Sequence, residues 1–275
     1  MPSARVVHRL RLGALLVSAV GEENIRTGTE VAGYTEDETG VLVHYAGGDQ
    51  ERAELLVGAD GLNSRVRRRL VPGSDSHRYE EGHHVWRAVL PFDGDLGDSY
   101  PTIGHHRTRG MVTRLADGSC FWVLAQFGVT GEFTGSPKQE AVARVENLHD
   151  GPSRFVLREV VLATPDDAVM DNQVAVVPEI PHWKSNRVVL AGDAAHAMSP
   201  HIGSGASLGI EDAYVLGDRL SRGDIPSALD SYQTDRIARY RQVRRHAKAM
   251  ATAPTPASYV ERFSRYLNWL NDTAA

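Results

Sequence analysis

Apolar positions recur at helical spacing near the N-terminus, where Leu12, Leu15, Leu16 and Ala19 fall at i, i+3, i+4 and i+7. This predicts an amphipathic helix within the apolar run 12–20. Arg5, His8, Arg9 and Arg11 precede that run and small residues follow it, an arrangement that also imitates a secretory signal peptide. The run is too short to cross a bilayer, and no other segment approaches the ~18 apolar residues required. Residues 41–45 and 54–57 read as strands, with turn chemistry at 34–40 and at Gly47-Gly48, which suggests a meander. The second strand stops at Gly58-Ala59-Asp60-Gly61. Asn63 or Ser64 can then cap a short helix through Leu70, whose arginine-rich face is expected to be solvated.

From 71 to 135 the chain is rich in Gly, Pro, Asp and His, with β-type runs at 85–90 and 120–127. Pro137 opens a helical pattern to about His149, and a second helix runs from Ser153 toward Leu162, ending before Thr164-Pro165. Residues 187–191 form a short apolar strand suited to a sheet buried on both faces. A long loop, GDAAHAMSPHIGSGAS, follows. Helical spacing resumes with Leu208, Asp212, Val215, Leu216 and Leu220, and again with Ile225, Leu229, Tyr232, Ile237, Tyr240 and Val243.

Composition narrows the class. Hydrophobic residues are 41% and charged residues 24% of 275, ordinary for a globular chain and wrong for collagenous, coiled-coil or disordered ones. The formal net charge of −5, with both signs dispersed, offers no basic field for nucleic acid. Cys120 is the single cysteine, so neither an internal disulfide nor a multi-thiolate metal site is available, which fits a reducing, cytoplasmic setting. His83-His84 and His105-His106 lack metal-ligand spacing, and no metal is expected. The basic stretch Arg236, Arg239, Arg241, Arg244, Arg245 and Lys248 reads as a solvated helix face. No G-x-S-x-G elbow positions a nucleophile, which disfavours a hydrolase.

The candidate chemistry lies where the strand at 187–191 ends. Open α/β sheets bind ligands outside the carboxyl ends of their strands, and Gly192-Asp193 occupies that place ahead of a glycine-dense loop and a helix beginning near Gly205. A buried carboxylate there could accept from the vicinal hydroxyls of a ribose, or Asp193 could merely cap the next segment. Gly203, Gly205 and Gly209 clear side chains where backbone meets a flat ligand, and free N–H groups at a helix start favour an anion or an electron-rich ring. Asp60 and Gly61 repeat the strand–turn–helix logic more weakly, a plain turn being the rival reading. His196 and His201 in the long loop are expected to satisfy loop hydrogen bonds, and no catalytic acid or base emerges.

Three segments, HRLRLGALL at 8–16, LLVGADGLNSRVRRRL at 55–70 and RVVLAGDAAHAMSPHIGSGASLGIEDAYVLGDRL at 187–220, resemble the flavin-dependent aromatic hydroxylases, FAD monooxygenases of the para-hydroxybenzoate hydroxylase fold. The last segment is most similar to the branch of urate and salicylate hydroxylases and zeaxanthin epoxidase. VWRAVLPF at 85–92 and ALDSYQTDRIARYRQV at 228–243 extend the likeness over nearly the whole chain.

The resemblance implies an α/β fold with an incomplete Rossmann-like FAD-binding domain, interleaved with a β-rich substrate domain and a helical C-terminus. Its expected parts are 1–72 and 181–222 for FAD binding, 73–180 for substrate and 223–275 for the C-terminal helices. Asp193, with Gly192, would bind the FAD ribose, and Pro200, Gly203, Ser204, Gly205, Ala206 and Ser207 would wrap the isoalloxazine. Arg9 would contact the nucleotide side, Asp60 and Gly61 would serve FAD and NAD(P)H, and Trp86 and Arg87 would stand at the substrate sheet. Ser204 replaces the family's usual Gln, and Ser207 a common Asn or Gly. The family's opening G-x-G-x-x-G is missing, since Gly203, Gly205 and Gly209 are spaced G-x-G-x-x-x-G near the other end. A βαβ unit of about 30 residues is thus expected to be absent, leaving an open or gapped sheet edge.

The implied activity is hydroxylation of an aromatic or electron-rich ring, with NAD(P)H as reductant and dioxygen as oxidant, on a small-molecule aromatic substrate. No membrane or nucleic-acid partner is expected; a homo-oligomer or a complementing chain is. Two alternatives stand beside this: a flavin-free remnant that binds a ligand or partner, and another FAD-dependent reaction such as epoxidation, halogenation or reduction.

Overall fold

The computed structural model describes residues 6–78, 82–97, 101–129 and 133–273; Arg5 and the side chain of His201 lie outside the described residues. Helix α1 (Arg9–Val20) forms as its periodicity predicts, but none of its residues is buried, and Leu15 and Leu16 are 67% and 56% exposed. Its apolar stripe is uncovered. Strands β1 (Val31–Glu36), β2 (Val41–Tyr45) and β3 (Gln50–Ala53) make an antiparallel meander. The turn expected at 34–40 is shorter than its composition suggested, because 34–36 belong to β1. Asp37 closes the reversal, its Oδ1 accepting from the N–H groups of Thr39 and Gly40 at 2.8 and 3.0 Å while Arg52 of β3 donates to its carboxylate.

The strand expected at 54–57 forms only over its last two residues, since residues 54 and 55 belong to no strand. β3 stays in the meander, whereas β4 (Leu56–Gly58) crosses to a second sheet and pairs in parallel with β12 (Val188–Leu190). All of β12 is fully buried, as its unbroken apolar run requires. Among the described residues no strand pairs with the other edge of β4, and Val57 there is exposed. After β4, Ser64 caps α2 (Arg65–Leu70) by accepting from the Arg67 N–H at 2.8 Å.

A separate antiparallel sheet has the order β10-β6-β9-β8-β7, with β6 (His83–Leu90), β7 (Thr102–Ile103), β8 (Thr108–Arg114), β9 (Cys120–Phe127) and β10 (Met170–Gln173). One face, carrying Trp86, Ala88, Trp122 and Leu124, packs under α3 (Pro137–Val145) and α4 (Pro152–Ala163) through Ala141, Val145, Leu157 and Val160. Trp122 Nε1 donates to Thr164 Oγ1 at 2.8 Å, which satisfies its buried donor. A two-strand ribbon, β5 (His77–Arg78) with β11 (Ala175–Val176), joins the halves.

The larger core surrounds β12 with Trp183, Leu208, Leu216, Leu229, Tyr232 and Val243. It is built by α5 (Asp193–His196), α6 (Gly205–Arg222) and α7 (Ile225–Ala251), with α8 (Pro256–Asp272) folded back on α7. Two arginine faces expected in solvent are partly buried instead. Arg67 of α2 and Arg236 of α7 are almost fully buried, because each guanidinium finds several acceptors inside the fold.

Candidate active site

The parallel strands β4 and β12 end side by side, and the chain leaves each through a corner: Ala59-Asp60-Gly61 after β4, and Ala191-Gly192-Asp193 after β12. Between β4, these corners and the length of α6 from Gly205 to Leu220 lies a groove of about 620 Å³, with Val57, Leu216 and Leu220 at its apolar end. Ala59 and Gly61 line it from the first corner, Gly192 and Asp193 from the second, and Gly205, Ala206 and Gly209 from α6. Its walls are mostly backbone and small side chains. Gly192 turns with φ 59° and ψ −142°, and a Cβ on Gly209 would stand 3.5 Å from the Gly192 Cα, so helix and corner meet at backbone distance.

Asp193 was expected as a buried carboxylate; it is exposed, and it opens into the groove. Its carboxylate makes no hydrogen bond or ion pair among the described residues, and it caps no helix. Its Oδ1 lies 3.9 Å from where a Cβ on Gly205 would stand, which sets it beside the start of α6. Ser204 precedes that helix without capping it. Its hydroxyl is taken up by the Ile202 carbonyl at 3.2 Å and by a hydrogen bond with the Tyr266 hydroxyl of α8. The N–H groups of Gly205, Ala206 and Ser207 are thus left for solvent or a ligand. Gly203 takes the left-handed conformation, φ 65°, while Pro200 and Ser207 are exposed.

Asp60 is committed otherwise. Its Oδ2 accepts from the N–H groups of Arg65 and Val66 at 2.7 and 3.2 Å, and its Oδ1 from the Ser64 hydroxyl, so it serves the start of α2 while its neighbours Ala59 and Gly61 face the groove. Arg9 is exposed on α1 and does not line the groove. Trp86 and Arg87 point to opposite faces of β6. Trp86 is packed under Arg144 and Phe133 in the helix-covered core, whereas Arg87 stands on the other face beside Val123 and has no hydrogen-bond or ion-pair partner among the described residues.

Sequence reasoning missed Arg67. It donates to the carbonyls of Ala194 at 2.9 Å, Ser74 at 2.9 Å and Leu62 at 2.7 Å, and so fastens the first corner to the second. Only an arginine three residues after the cap marked it. His83, which the sequence marks only as lacking metal-ligand spacing, has its Nδ1 3.0 Å from Ser199 Oγ and so joins the antiparallel sheet to the long loop. Burial pushes His83 down to about 3, so the ring is neutral at physiological pH. A second cavity, of about 160 Å³, lies by the start of α4 and Tyr259; Arg154 at its rim is already paired with Asp150 and Glu146. Among the described residues no cluster of His, Cys, Asp and Glu could hold a metal, and no helix is long and apolar enough to cross a membrane.

Residues 11–247 match the family model described as FAD binding domain. The chain is 32% identical over 237 residues to the aurachin C monooxygenase/isomerase of Stigmatella aurantiaca, covering 85% of this chain and 60% of that one. It is 29% identical over 253 residues to the 6-hydroxynicotinate 3-monooxygenase of Bordetella bronchiseptica, covering 87% and 63%. The chain therefore spans less than two thirds of these relatives. The structure of Klebsiella pneumoniae HpxO complexed with FAD and uric acid superposes with a TM-score of 0.81 at 23% identity, over 97% of this chain and 71% of that one. The groove, its two corners and α6 all lie within the matched span, and this chain belongs to the FAD-binding domain family.

Proposed function

We propose that the groove holds FAD and that the chain acts as an NAD(P)H-consuming monooxygenase on an aromatic or similarly electron-rich ring. One observation carries the reading: an exposed, unpartnered Asp193 carboxylate beside an uncapped helix start, in a groove sized for a cofactor. The residues fit the group. Asp193 would accept from ribose hydroxyls, and the N–H groups of Gly205, Ala206 and Ser207 would favour the electron-rich side of the ring system by about 0.3–2 kcal/mol. Gly192, Gly205 and Gly209, which line the groove, would keep side chains out of its path.

Bound there, the flavin would supply the electron transfer and oxygen chemistry, which no side chain of this protein can perform. The chain's own part is to bind, orient and exclude water. Substrate would lie against the half-buried sheet face of Arg87, Val89, Phe121, Val123 and Met111, where Arg87 offers an uncommitted cation among apolar groups. Such a surface keeps water away from reactive flavin and orients a ring through few polar anchors.

Purified protein incubated with FAD and freed of excess should retain flavin absorbance, and its oxidation of NADH or NADPH should rise with aromatic substrates that gain one oxygen from labelled dioxygen. Retained flavin without oxygen transfer would point to another flavin reaction. A second reading, ligand or partner binding without flavin, is favoured by the uncovered edge of β4 and the bare apolar stripe of α1. Failure to retain flavin would support it.

A further inference from the structure

Asp212, on the third turn of α6, is completely buried, yet three elements aim donors at it. The Gly192 N–H reaches Oδ2 at 2.8 Å, His196 Nε2 lies 2.7 Å from the same oxygen, and Arg236 Nε donates to Oδ1 at 2.7 Å. The Gly192 bond fixes the residue just before Asp193, and the His196 bond fixes the end of the single-turn helix that Asp193 begins. Arg236 is shared further: its Nη1 donates to Glu211 Oε2 at 2.9 Å and its Nη2 to the Leu208 carbonyl at 3.2 Å. Arg239 forks onto both oxygens of Glu211 at 3.0 Å. His196 is buried against Trp183 and Tyr240, with ring centroids 5.3 and 5.5 Å away.

An apolar side chain at 212 would fill the same volume without the desolvation cost of a buried carboxylate, so stability alone is a weak reason for this arrangement. What the carboxylate adds is direction. Gly192 adopts a backbone conformation open chiefly to glycine, and such a conformation persists only where its surroundings over-determine it. We infer that Asp212 is a positioning residue for the cofactor site, holding the Gly192 N–H and the His196 ring so that the Asp193 carboxylate faces the groove. This rests on reading the groove as the FAD site, and it assigns Asp212, His196 and Arg236 to one device that acts through Asp193 without touching the ligand.

The test compares three variants. Asp212→Asn keeps the shape and removes one charge-bearing acceptor. His196→Phe keeps the ring packing, removes one donor and serves where Asp212→Asn fails to fold. Thr164→Ala loosens the other core by breaking the Trp122 hydrogen bond and is the control for general destabilisation. Two readouts are taken well below the melting midpoint: the FAD dissociation constant by flavin fluorescence, and hydrogen exchange of the Ala195 and His196 amides, both bonded to the Gly192 carbonyl. Asp212→Asn and His196→Phe are expected to weaken FAD binding about tenfold or more and to speed exchange at those amides selectively, with Thr164→Ala doing neither. FAD affinity within twofold of the parent, with exchange matching the control, would overturn the assignment. Should the parent itself bind no FAD, the groove reading falls and exchange alone decides: selective loosening at 195 and 196 upholds the positioning role, and uniform loosening rejects it.

Discussion

The Arg67 guanidinium donates to the Ala194 carbonyl at 2.9 Å, across 127 positions of sequence, and so ties the corner after β4 to the corner after β12. Among the described residues no carboxylate forms an ion pair with it. The charge is held by three backbone carbonyls, and burial depresses its proton affinity.

Replacing Arg67 should therefore be costly. Arg67→Ala leaves three carbonyls without donors and is expected to lower unfolding free energy by about 3 kcal/mol or more. Arg67→Lys should recover little, because one ammonium on a single stem cannot serve three acceptors spread around a planar fork. Urea unfolding of the three proteins checks this.

Gly58 closes β4 where α2 packs on it. A Cβ there would stand 2.7 Å from both Cβ and Cγ1 of Val66 and 3.0 Å from Leu190 Cδ2. Gly58→Ala should destabilise by about 1–3 kcal/mol through overpacking. Adding Val66→Ala should give a double variant more stable than the sum of the single effects predicts, which a double-mutant cycle on urea midpoints would reveal.

His83 predicts a pH dependence. Its folded value, about 3, lies below the ordinary 6.5 because of burial, so the unfolded chain binds the additional proton between those limits. Its contribution is intact above about pH 6.5 and is lost as pH falls toward 3, at up to about 1.4 kcal/mol per unit. From pH 7 to pH 5 the unfolding free energy of the parent should fall more steeply than that of His83→Gln. Parallel slopes would contradict the burial of a neutral ring.

Much of this arrangement is legible in the amino-acid sequence, and the division has physical causes. The strands at 41–45, 85–90 and 120–127, the Ser64 cap and the Pro137 helix start rest on local periodicity and local hydrogen bonds, and they form where expected. The Asp193 corner is local in the same sense, being strand, glycine, carboxylate and helix in succession. Arg67 and Arg236 were not legible, because an arginine's burial depends on which distant carbonyls or carboxylates the fold brings to it. Trp86 and Arg87 illustrate a middle case: alternation along a strand separates them onto opposite faces, but only the placement of α3 and α4 says which face is the core. The uncovered stripe of α1 shows periodicity without a partner, since pattern predicts a helix and not what will lie against it.

Asp193 is proposed to accept from the FAD ribose, and a titration of the parent and Asp193→Ala with FAD decides the point. The carboxylate is exposed and unpartnered, so its removal should leave the urea midpoint nearly unchanged. Affinity should fall by about 1.5–3 kcal/mol, or roughly 10- to 150-fold, the worth of a hydrogen bond to a charged group. A variant that binds FAD as tightly as the parent would show that this carboxylate does not meet the cofactor.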